Sequence, residues 1–79
     1  MKEASNIVIQ YDDIKATDAF KSLSPIQRKI NLNRNSRIAI QNGLNVALNR
    51  GLEVWQNQTN GSWFHVQIVT ELFKIKKSC

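Results

Sequence analysis

Few side chains in this chain could do chemistry on a substrate. Its one histidine is His65 and its one cysteine is the final residue, Cys79. Nucleophilic catalysis needs a nucleophile beside a base, and acid–base catalysis needs positioned groups of tuned pKa. Asp12 and Asp13 are adjacent, so on a strand they point to opposite faces and cannot work as a pair. Structural zinc takes four Cys/His ligands in closely spaced pairs, which this composition cannot supply. There is no glycine-rich phosphate loop. These features predict no catalytic residue, no metal and no cofactor. The one catalytic class left open is a small ribonuclease using arginine, lysine and one histidine.

Binding is the better-supported chemistry. Arg37, Gln41, Asn45 and Asn49 recur every four residues, which stacks them along one line of a helix. Arg28 and Arg34 precede this stripe, and Asn42 flanks it. Arginine, glutamine and asparagine make paired hydrogen bonds to base edges, and arginine and lysine neutralise phosphates. The expected function is a non-enzymatic regulator that binds nucleic acid, DNA included, through Arg28, Arg34, Arg37, Gln41 and Asn45. Lys74, Lys76 and Lys77 would add non-specific phosphate contacts.

The competing expectation is a protein-interaction module, an inhibitor or accessory subunit docking on an acidic protein surface. Its candidate residues are Trp63, His65 and Gln56, because exposed tryptophan is what interface hot spots use. Against both stands the ordinary fact that a solvent-facing helix surface has to be polar.

Charge is unevenly placed along the chain. The net charge is +5 and the pI about 9.8. Residues 1–18 carry −2 and residues 19–79 carry +7. A field of one sign over most of a small domain attracts anionic partners and speeds their encounter. The partner is therefore expected to be nucleic acid or an acidic protein surface, with no small-molecule substrate. The nine asparagines and six glutamines give a composition similar to that of small basic proteins from phage and mobile elements.

Seventy-nine residues make one domain, near the lower end of what folds alone. Residues 1–5 and 76–79 are expected to fray. A lone cysteine cannot form an internal disulfide, so homo-oligomerisation is expected to supplement a thin stability margin. An unpaired thiol suits a reducing compartment, and Ile7-Val8-Ile9 is too short an apolar run for a signal peptide or a membrane span. A cytoplasmic location without membrane contact follows as the expectation.

The elements that would position these residues read as follows. Ile7 to Tyr11 is β-branched and aromatic and predicts a short strand. Asp13 would cap a brief helix through Leu23, with Ala16, Phe20 and Leu23 on one face. Ser24-Pro25-Ile26-Gln27 has the form of a capping box with proline in the first turn, and starts a helix carrying Ile26 and Ile30. The asparagines at 31–35 predict a turn, with a new cap at Asn35 or Ser36. A second helix over 36–50 presents Ile40, Leu44, Ala47 and Leu48 as a buried stripe and ends at Gly51. Gly43 inside it marks a close helix contact.

After Gly51 the residues suggest a hairpin about Asn60-Gly61, spanning 52–68, with Trp55 opposite Val66 and Asn57 opposite Phe64. Residues 69–75 fit strand or helix. The expected fold class is thus α+β, two or three short helices on a small antiparallel sheet built around the C-terminal hairpin. That element order resembles a helix-turn-helix with a wing, in which the second helix enters the groove.

Overall fold

The computed structural model describes residues 8–77, with side chains through Lys76. Six helices follow one another: α1 (Tyr11–Lys15), α2 (Asp18–Lys21), α3 (Pro25–Asn31), α4 (Arg34–Arg50), α5 (Leu52–Gln58) and α6 (Trp63–Lys77). No strand occurs among the described residues, so the α+β expectation is overturned in favour of a small all-helical globule.

The hairpin is the central correction. Residues 52–58 and 63–77 are helices, not paired strands. Phe64, Ile68 and Leu72 recur every four residues and are buried, with Val69 beside them. A two-residue period can be read over 63–68, but only the helical period carries the apolar face on to Leu72. Burial against α4 then outweighs the β-propensity of Val66, Ile68 and Val69, since that propensity depends on context. Asn60-Gly61 lies in the connection between helices, and Gly51 is the only described glycine with positive φ. Thr59 Oγ1 accepts from the Gly61 amide at 3.0 Å, and Ser62 Oγ accepts from the His65 amide at 3.3 Å. The segment stops one helix and caps the next, which suits its Thr/Asn/Gly/Ser composition equally well.

The N-terminal elements shift as well. Ile7 lies outside the described residues, Val8 to Gln10 belongs to no helix or strand, and Tyr11 already begins α1. The helix expected over 13–23 is two short ones. Asp13 acts inside α1, its carboxylate accepting from the Gln10 amide at 3.0 Å. Thr17 makes the break: its hydroxyl donates to the Ile14 carbonyl at 2.6 Å and accepts from the Phe20 amide at 3.3 Å. A carboxylate from far along the chain completes the second cap. Glu71 on α6 accepts from the Asp18 amide at 2.7 Å and the Ala19 amide at 2.8 Å.

The α3–α4 pair keeps its expected order with a shorter turn. Ser24 Oγ accepts from the Gln27 amide at 3.2 Å. The α4 cap is Asn33, earlier than expected, its side chain accepting from the Ser36 amide at 2.8 Å. The winged-helix outline fails with the sheet, because α4 is the central helix of the globule. Ile40, Leu44 and Ala47 pack within the core that α6 closes. Gly43 lets the Trp55 ring of α5 approach so closely that a β-carbon there would stand 2.9 Å from a ring carbon. α6 runs through Lys77; of the ends expected to fray, residues 1–5, 78 and 79 lie outside the described residues. No helix among the described residues is long and apolar enough to cross a membrane.

Candidate functional site

The α4 stripe chosen from sequence is present but already in use. Gln41 Oε1 accepts from the Ile9 amide at 2.8 Å, and Gln41 Nε2 donates to Asn45 Oδ1 at 3.3 Å. The Arg37 guanidinium lies over the Tyr11 ring, 4.4 Å from its centroid, a cation–π distance. Lys15 approaches the same ring at 5.9 Å. The stretch before α1 therefore lies along Arg37 and Gln41. Asn49 donates to the Asn45 carbonyl at 2.9 Å, so the amide end of the stripe is engaged within its own helix.

The other sequence-chosen cations divide in two. Arg28 folds back from α3 toward α2, donating to the Lys21 carbonyl at 3.0 Å and lying 5.4 Å from the Phe20 ring centroid. Arg34 is exposed at the start of α4, where no acid occupies the first turn. The guanidinium and the positive end of the helix dipole add there instead of cancelling. Lys74 is exposed on the last turns of α6, and Lys76 pairs with Asp13 at 3.7 Å. Cations near a helix C-terminus are stabilised by the dipole, so these lysines have a structural use besides any phosphate contact. The Lys77 side chain lies outside the description.

The alternative trio is not brought together as an interface. Gln56 Nε2 donates to Thr70 Oγ1 at 3.1 Å, bridging α5 and α6. His65 sits half-buried with Nε2 3.1 Å from Ser36 Oγ, and burial holds its pKa below the ordinary histidine value. Trp63 is open, 60% exposed at the start of α6.

The Ser36–His65 pair was not foreseen, being 29 residues apart in sequence. A serine hydroxyl on a histidine nitrogen is the geometry of an activated nucleophile. Ser36 is nevertheless buried, and neither residue lines the groove beside Arg37 or the one on α3. The pair ties α4 to α6.

The surface that sequence reading missed is on α3. No α3 residue is buried: Ile26 and Ile30 are 66% and 60% exposed. The helix is held at its ends by Leu23 and Leu32, which pack against the core, and by the Arg28 contacts to α2. Pro25, Ile26, Arg28, Lys29 and Leu32 line a groove of about 540 Å³. Residues 19–52 contain six Lys/Arg and no acid. Apolar groove and cationic rim therefore coincide. The signal was legible as Ile26 and Ile30 on one face of a capped helix that also carries Arg28 and Lys29.

Compared with known proteins, the chain matches no family model, no curated protein sequence and no solved structure.

Proposed function

We propose that this protein is a non-enzymatic docking module that takes an acidic, amphipathic protein segment in the α3 groove. The observation that carries the reading is α3 itself, a helix with no buried residue, whose Ile26 lines a groove with Arg28 and Lys29 and whose Ile30 is exposed one turn on. Exposed apolar patches rimmed by polar residues mark interaction sites. A nucleic acid would use the cations and leave Ile26 and Ile30 idle. A helix bearing leucines on one side and carboxylates beside them would use both, and its acid would meet a helix and flanking segments that carry no acid between residues 19 and 52.

The test is a titration with a synthetic Leu/Glu amphipathic helical peptide, with a Leu/Lys peptide of the same pattern as control. Saturable binding of the acidic peptide alone is expected, weakened by salt and abolished by Ile26→Ser with Ile30→Ser. Equal binding of both peptides, or binding indifferent to the two serines, sinks the reading.

A second reading, a regulator binding nucleic acid through Arg37, Gln41 and Asn45, is favoured by one observation. Arg37 carries an aromatic ring on its guanidinium, and arginine planes stack on unpaired bases in the same way. Pull-down from the native cell with and without nuclease separates the two classes. A partner lost on nuclease treatment belongs to the second.

A further inference from the structure

We propose that residues 8–13 act as a built-in stand-in for single-stranded nucleic acid, closing the Arg37–Gln41–Asn45 face until a strand displaces them; this rests on the second reading above.

The segment has the features such a strand would bring. Tyr11 places an aromatic ring on the Arg37 guanidinium at 4.4 Å, the position of a stacked base. Asp12 and Asp13 follow at once, so the segment carries negative charge, as a strand would. Gln41 meets main chain outside any helix through the Ile9 amide at 2.8 Å. A groove of about 310 Å³ beside these contacts is lined by Val8, Ile9, Arg37, Ile38, Gln41 and Asn42, none of which belongs to the α3 groove.

The substitute is imperfect and loosely held. Arg37 Nε is buried without a hydrogen-bond partner, so the occupant stacks on the guanidinium but leaves a donor unanswered. A phosphate oxygen would answer it. Within residues 8–13 only Ile9 is buried; Val8 is 71% and Tyr11 39% exposed. The Lys76–Asp13 pair at 3.7 Å is of the surface kind that holds little. Ile14 and Thr17, by contrast, are almost fully buried. If the segment leaves as far as Ile14, it takes one residue, Ile9, out of the core, while Ile14 and the rest of the core cluster stay in place.

A closed face lowers apparent affinity by the fraction of molecules that are open. If about one molecule in ten is open, opening the rest tightens binding about tenfold. The experiment measures fluorescence anisotropy of a labelled single-stranded DNA oligonucleotide with the full chain at low salt. Tyr11→Ala and Ile9→Ala, both charge-neutral, are expected to bind several-fold more tightly than the wild type, and adding Arg37→Gln removes the gain. In parallel, saturating oligonucleotide is expected to speed hydrogen exchange at the Ile9 amide of the wild-type chain, a readout that needs no variant to fold. Absence of binding by every protein overturns the nucleic-acid reading and this inference with it. Binding without the gain, a gain that survives Arg37→Gln, or an unchanged Ile9 amide overturns the closure alone.

Discussion

The Trp55 indole of α5 lies against Gly43 of α4, so closely that a β-carbon on Gly43 would stand 2.9, 3.0 and 3.1 Å from three ring atoms. Gly43→Ala would gain about 1 kcal/mol of helix propensity, and would lose about 1–3 kcal/mol if the ring is forced aside. The crowded atoms are a rigid ring on a buried residue, so loss is expected to win by about 1 kcal/mol, and Gly43→Val should cost more. A drop in Tm of several degrees checks this for a chain of such size. Trp55→Leu should make Gly43→Ala less harmful, and additive effects in the double variant would refute the contact.

Glu71 caps α2 from the other end of the chain, accepting from the Asp18 and Ala19 amides at 2.7 and 2.8 Å. Glu71→Ala leaves both amides without a protein acceptor and is expected to cost about 1–2 kcal/mol, the range of a lost helix cap. Glu71→Gln keeps one acceptor oxygen and should cost roughly half as much. Urea denaturation midpoints measure the order. If the glutamine variant proves the weaker of the two, the carboxylate is not acting as a cap.

His65 sets a pH dependence of stability. Burial lowers its pKa from 6.5, so between the folded value and 6.5 the unfolded chain binds a proton that the folded chain does not. Stability is therefore complete above pH 6.5 and is lost as pH falls toward the folded pKa, then levels off. Urea midpoints at about pH 7.5 and about pH 5 should differ in that direction, near the range where histidine switches charge. His65→Gln, which keeps a hydrogen-bonding group for Ser36, should remove this component. A wild-type midpoint that rises on acidification contradicts the assignment.

Ile26 and Ile30 should be nearly silent in folding despite being isoleucines. Their exposure of 66% and 60% places Ile26→Ser and Ile30→Ser within about 0.5 kcal/mol of wild type. Ile40→Ala and Leu44→Ala, at fully buried positions of α4, should each cost about 2–5 kcal/mol. Parallel denaturation of the four variants reads the contrast. Large losses at Ile26 or Ile30 would mean that α3 is part of the core and not a surface.

Local signals survived where nothing distant competed with them. Ser24-Pro25 began a helix, Ile40, Leu44 and Ala47 were buried on one face, Arg50-Gly51 ended that helix, and Gly43 marked a close approach. Each rests on residues within a turn or two of one another. The signals that misled were equally local. Asn60-Gly61 and the alternation around Trp63 to Ile68 suit a hairpin as well as a helical connection, and only α4 beneath them decides between the two.

The sequence by itself determined the charge separation, the scarcity of reactive side chains and the central α4 stripe, because composition and helical period do not depend on fold. Tertiary structure decided the rest. It turned residues 52–77 into helices by giving Phe64, Ile68 and Leu72 a common surface to bury against. It placed the segment before α1 across Arg37 and Gln41, joining positions 32 residues apart. It also left Ile26 and Ile30 outside, although their spacing is that of a core face. Periodicity reports which residues share a side of a helix; whether that side meets the core, the chain's own terminus or solvent is settled by what packs there.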